Sequence, residues 1–318
     1  IIAATMIWFG VTVARFLYER RERSRITKRF SKYVDPMLVN FVVEHPESAH
    51  FEGELREMTI VFTDLAGFTT ISEKLREKTV PLLNEYMSLM LPIIRANHGL
   101  WNKFLGDGIM FFFNAPADNP HHARDAVHTV LQMQQKTQAF NQTLRDQMLP
   151  QVAMRAGIAT GTVVVGDAGS TDPDHFASDY TVLGDEVNLA SRLESANKAL
   201  GSRLLLSEAT ANMLGDEFLL RPMGNFRVVG RTVGVVTFEA ICPRSEAGDK
   251  QTRLAEISTR IVENFRQALF DDCINAVREL ETDFGSTKFT QLYLELCREY
   301  QVAPPENGFN GLIILTEK

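Results

Sequence analysis

A chain of 318 residues, 45% hydrophobic and 23% charged, has the ordinary balance of a globular protein and room for one sizeable core with flanking segments. Its formal net charge of −7 argues against a general nucleic-acid binder, which carries a basic footprint. Cys242, Cys273 and Cys297 have no metal-ligand spacing and form no even disulfide set, as suits a reducing compartment.

Residues 1–13 are almost wholly apolar, and Arg15, Arg20, Arg21, Arg23, Arg25, Lys28 and Arg29 follow against only Glu19 and Glu22. A membrane span needs about 20 apolar residues. This run is shorter, but it begins at isoleucine, so residues 1–18 read as the end of a transmembrane helix. The arginines place its basic end in the cytoplasm, anchoring the chain in the inner membrane with the remainder on the cytoplasmic side. A signal peptide carries its basic residues before the apolar core, and here they come after it. A buried soluble helix is the other reading. Residues 19–51 form a basic juxtamembrane segment and connector. Phe30, Tyr33, Val34, Leu38, Phe41 and Val42 recur at helical intervals there, and Asp35-Pro36 divides them into two short helices.

Beyond residue 52 strands and helices interleave. Residues 58–63 read as a short buried strand, and 67–78 and 80–97 as helices, the second ended by Asn97-His98-Gly99. The apolar runs 101–105 and 109–113 flank Gly106-Asp107-Gly108, a hairpin signal. A long amphipathic helix spans 121–147. Residues 152–159 and 163–165 then read as a strand pair around Thr160-Gly161-Thr162. A strand at 180–183 precedes a helix at 185–198, and 203–206, 219–223, 227–229 and 235–240 complete the strands. After the polar link 244–251, residues 252–300 are mostly helical and 311–315 form a last apolar run. The expected class is α+β, with helices on one face of the sheet. The order strand, two helices, hairpin, helix, strand is that of a ferredoxin-like βαββαβ core, extended by a mostly helical C-terminal part over 250–318.

Asp64 ends the apolar run Val61-Phe62-Thr63 where a helix opens, a position equally suited to an N-cap or to a cation beside a bound phosphate. Asp107 lies between two glycines that let the chain bend tightly and leave the carboxylate uncovered; alone it is a turn aspartate. Together, two carboxylates at strand ends are a natural seat for hard divalent cations holding a polyphosphate. Asn188 and Arg192, four apart on one helix, share a face that is either solvated or able to hold a phosphate. Lys103, in an otherwise apolar strand, is an edge-strand device or a ligand contact.

Four blocks in order, FTDLAGFT at 62–69, NKFLGDGIM at 102–110, MRAGIATGTVVVGDAGS at 154–170 and DYTVLGDEVNLASRLE at 179–194, resemble the class III nucleotidyl cyclases. The likeness runs from about Glu52 to Ala240 and sets a catalytic domain at 52–243. It implies an adenylyl cyclase that makes 3′,5′-cyclic AMP and pyrophosphate from ATP as the output of an upstream sensor. Asp64 and Asp107, with the Leu65 carbonyl, would bind two Mg²⁺ or Mn²⁺ ions. Asn188 would position the ribose and Arg192 stabilise charge on the α-phosphate. Lys103 and Thr181 would read adenine, and Arg231 would contact the triphosphate, where its other reading is an exposed turn residue. The resemblance also implies a homodimer whose two sites are each shared between subunits. Relatives carry a phosphate-contacting arginine before the Tyr-Thr strand; here residues 172–179 contain none, only His175. A guanylyl cyclase and a catalytically silent module on the same fold are the rival readings.

Overall fold

The computed structural model describes residues 8–15, 18, 35–45, 53–170, 177–227, 233–305 and 308–315. Its central strand is β1 (Glu54–Leu65), longer than the short run expected because pairing extends well beyond the apolar residues. A helical stretch follows as α2 (Phe68–Leu75), a 3₁₀ turn over Arg76–Lys78 and α3 (Thr79–Ala96). The hairpin β2 (Leu100–Leu105) and β3 (Gly108–Phe113) turns at Gly106, whose φ of 68° lies where an L side chain is strained. Helix α4 (His122–Asp146) leads to β4 (Met154–Ser170), so the expected order strand, helices, hairpin, helix, strand is present.

The strand pair expected around Thr160-Gly161-Thr162 is instead the single long strand β4. Thr160, Gly161 and Thr162 pair in register with Thr59, Met58 and Glu57, so no turn occurs there. Gly161 serves the approach of a helix: a Cβ on it would lie 2.7 Å from Cγ of Glu186. The outer half of β4 pairs with β5 (Ala177–Leu183), which feeds α5 (Asp185–Leu200). Then come β6 (Leu204–Ser207), the short α6 (Glu208–Met213), which the sequence reading missed, β7 (Phe218–Arg227) and β8 (Val235–Pro243). Residues 219–223 and 227 belong to one strand, β7. Register shifts at Leu219/Leu220 and Pro222/Gly224 interrupt its alternation and make it read as two.

Helices cover both faces of the sheet, not one as expected. Ile60 and Phe112 belong to a cluster under α5, while Val61, Phe111 and Phe113 belong to another under α3 and α4. The five apolar residues Ile109–Phe113 are the sequence mark of such a doubly covered strand, and all five are buried. Helices α7 (Asp249–Arg266), α8 (Phe270–Phe284) and α9 (Lys288–Val302) continue the cluster under α5. The fully buried Tyr293 donates to the Met223 carbonyl at 2.8 Å, and β9 (Leu312–Ile314) adds in parallel to β7.

At the other end of the chain, residues 8–15 are helical and largely exposed. Among the described residues no helix is long and apolar enough to cross a membrane. Of the expected connector, Pro36–Glu44 forms α1, and residues 26–34 lie outside the described residues. Asp35 caps α1 through Met37 N at 2.8 Å and accepts from Arg95 Nε, in the last turn of α3, at 3.0 Å.

Candidate active site

The end of β1 and the β2–β3 turn bring Asp64 and Asp107 together. Thr63 faces Ile109 across the β1–β3 ladder, and the backbone N–H of Leu65 donates to Asp107 Oδ2 at 3.2 Å. The Asp107 carboxyl is pushed up to about 6, chiefly by burial, then by the charge of Asp64 and a hydrogen bond with it. Two carboxyl groups so placed resist being charged together and attract either a proton or a cation.

The contact between β4 and α5 adds two groups that the sequence reading did not single out. Arg155 is the cross-strand partner of Asp64 and donates from its guanidinium to Asp64 Oδ2 at 2.7 Å. Its Nε lies 3.5 Å from Glu194 Oε1 on α5; neither of these two buried atoms has a hydrogen-bond partner among the described residues. The Glu194 carboxyl is pushed up to about 7, first by burial, then by Asp64, with Arg155 opposing. The helix reaches so far inward because Gly157 leaves room for it: a Cβ there would lie 2.2 Å from both the Ala190 carbonyl oxygen and the Glu194 nitrogen. The only sequence signal was Arg155, a charged residue in the otherwise apolar run of β4; nothing local marked Glu194. Their pairing needs the β1–β4 register and the helix approach.

Asn188 and Arg192 occupy the outer side of α5. Asn188 is exposed, with Nδ2 3.5 Å from the Gly184 carbonyl, and Arg192 is half-buried without an ion pair among the described residues. Within one chain neither touches Asp64 or Asp107 by hydrogen bond or ion pair.

A third group forms where β2 meets β5. Lys103 Nζ lies 3.6 Å from Asp179 Oδ2. Asn102 donates from Nδ2 to the Tyr180 carbonyl at 2.7 Å and accepts from Thr181 Oγ1 at 3.3 Å. Lys103 and Thr181, far apart in sequence, thus flank one short polar junction. Arg231 and His175 lie outside the described residues.

The profile of the family described as "Adenylate and Guanylate cyclase catalytic domain" matches residues 52–257. The chain belongs to this family. Adenylate cyclase 1 of Rhizobium meliloti is 37% identical over 216 residues, covering 67% of this chain and 31% of that protein. An adenylate cyclase of Anabaena cylindrica is 33% identical over 192 residues, 58% of this chain and 36% of its own length. The chain therefore spans about a third of the length of these two curated relatives. Among solved structures, the adenylyl cyclase CyaB from P. aeruginosa is 33% identical with a TM-score of 0.57, covering 62% of this chain and 100% of that one. The guanylyl cyclase Cya2 is also 33% identical, with a TM-score of 0.54 over 60% of this chain and 94% of that one. The α+β cyclase-type fold is common ground between this chain and both an adenylyl and a guanylyl cyclase.

Proposed function

We propose that the chain is an adenylyl cyclase, closing ATP to 3′,5′-cyclic AMP with release of pyrophosphate. The observation that carries this reading is the meeting of Asp64 and Asp107 at the ends of two paired strands, beside the Leu65 backbone. These are hard oxygen donors; burial first and the charge of Asp64 second push the Asp107 carboxyl upward, and a divalent cation relieves both. Among the described residues no group of three or more acidic, histidine or cysteine side chains could enclose a metal. Two carboxylates supplemented by phosphate oxygens and water suit Mg²⁺ or Mn²⁺ better than a closed all-protein cage.

Asp64 and Asp107, with the Leu65 carbonyl, would hold two such ions. Bound there, they supply Lewis-acid stabilisation to the attacking 3′-oxygen and the phosphates. The remaining work falls to side chains. Asn188 orients the ribose. Arg192 faces the α-phosphate with a guanidinium that makes no ion pair among the described residues, and loss of such a contact lowers rate by about 10²–10³. Arg231 holds the triphosphate. Lys103 has donors and no acceptor, so it matches the bare N1 of adenine and opposes the N1–H of guanine.

The homodimer belongs to this proposal. Asn188 and Arg192 reach neither carboxylate of their own chain, and a second copy would bring its pair to them. An exposed row of Leu55, Val164 and Leu183, paired across β1, β4 and β5, offers apolar surface for that contact. Anchoring at the inner membrane through residues 1–18, with sensor control through the connector, rests on the sequence pattern alone.

The test is incubation of the purified protein with Mn²⁺ and either ATP or GTP, with cyclic nucleotide measured by chromatography. Cyclic AMP from ATP, lost in Asp64→Asn, is the expected result. Cyclic GMP as the main product would replace the adenine reading. Absence of either product from a folded dimer would favour a silent signalling module.

A further inference from the structure

Asn102 stands beside the base-reading lysine in sequence and beside the base-reading threonine in space. Its amide orientation is fixed by chemistry. The Tyr180 carbonyl can only accept, so the atom 2.7 Å from it must be the Asn102 NH₂ group. That leaves the Asn102 carbonyl oxygen facing Thr181 Oγ1 at 3.3 Å, and a carbonyl there can only accept. The Thr181 hydroxyl therefore spends its one proton on Asn102 and presents lone pairs outward.

The consequence is a polarity. An outward acceptor welcomes the 6-amino group of adenine and leaves the 6-oxo group of guanine or hypoxanthine facing lone pairs. Threonine alone has no such preference, because its hydroxyl rotates to donate or accept as required. We propose that Asn102 is a specificity-determining positioning residue, which locks the Thr181 hydroxyl as an acceptor by tying it through its own amide to the Tyr180 carbonyl. Asn102 need not touch the nucleotide. Lys103 and the Asn102–Thr181 unit together then form one donor and one acceptor, the complement of the adenine edge. The inference rests on the adenylyl reading of the same site and names what enforces it.

The experiment compares kcat/KM for ATP and inosine triphosphate, which differs from ATP only at N1 and the 6-position. The full chain is used with Mn²⁺, and thermal melting checks each variant. Asn102→Leu frees the Thr181 proton and is expected to lower the preference for ATP by about tenfold, the worth of one hydrogen bond of correct polarity. Asn102→Asp offers Thr181 an acceptor but has no donor for the Tyr180 carbonyl, so the tie is lost and the preference should fall here as well. In a Thr181→Val background the Asn102→Leu change should shift selectivity no further. If Asn102→Leu does not fold, the smaller Asn102→Ala gives the same contrast. An unchanged preference in Asn102→Leu and Asn102→Asp overturns the role of Asn102 while Thr181→Val still lowers selectivity. If Thr181→Val itself leaves selectivity untouched, the adenine reading of this junction falls, and the inference with it.

Discussion

Glu194 occupies surroundings that oppose its charge. Burial and the nearby Asp64 push its carboxyl from 4.5 to about 7, although Arg155 pulls the other way. Between those two values the folded chain keeps a proton that the unfolded chain has already released. The unfolded state then binds fewer protons, so this group's contribution to stability is full below pH 4.5 and is lost as pH rises through about 7. The native protein should therefore lose melting temperature relative to Glu194→Gln between pH 5 and pH 8, read by calorimetry at about constant ionic strength. A constant difference across that range would place the Glu194 pKa near its unfolded value. Sequence reading could not have nominated Glu194. It lies two positions from Arg192 on a helix whose outer face drew attention, and only the approach of α5 to β4 reveals that it points inward. The two aspartates were legible because Asp64 ends an apolar run and Asp107 sits in a Gly-Asp-Gly turn between two, patterns visible without the fold.

At the scale of elements, α5 and β4 form the contact on which the site geometry depends. Two glycines on one face of β4 make it, and they do so differently. At Gly157 a Cβ would strike helix backbone, at 2.2 Å from Ala190 O and Glu194 N, and backbone cannot step aside. At Gly161 the first obstacle is the Glu186 side chain, 2.7 Å away, which can rotate. Gly157→Ala should thus cost about 3 kcal/mol and Gly161→Ala about 1 kcal/mol in denaturant titrations. Equal costs would mean that the helix floats on the strand and does not rest on it. The same pair explains where sequence reading of the fold failed. Thr160-Gly161-Thr162 has turn composition, yet its glycine answers a helix across the sheet, and only long-range packing separates those two uses. Local patterns served well where the cause was local: the Gly-Asp-Gly turn, the amphipathic α4 and the start of α1 at Asp35-Pro36 all lie close to where the sequence placed them.

The whole molecule distributes its candidate catalytic groups so that one chain looks incomplete by itself. Asp64 and Asp107 open at one end of the β1–β3 ladder, and Arg155 and Glu194 fill the space between Asp64 and the inner side of α5. Asn188 and Arg192 look outward from that helix and, among the described residues, touch neither carboxylate of their own chain. In the proposed dimer each site takes carboxylates from one subunit and the amide and guanidinium from the other. Asp64→Ala and Arg192→Ala chains are each expected to be nearly inactive alone, since either change damages both sites of a homodimer. Mixed in equal amounts and allowed to exchange, half of the dimers pair unlike chains. Each of these has one site carrying both lesions and one carrying neither, so roughly a quarter of native activity should return. Dilution should abolish the recovered activity as the subunits part, with sedimentation following the same transition. Two folded, pairing variants that recover nothing would mean that each chain builds its site alone, and the outward-facing Asn188 and Arg192 would then belong to the surface.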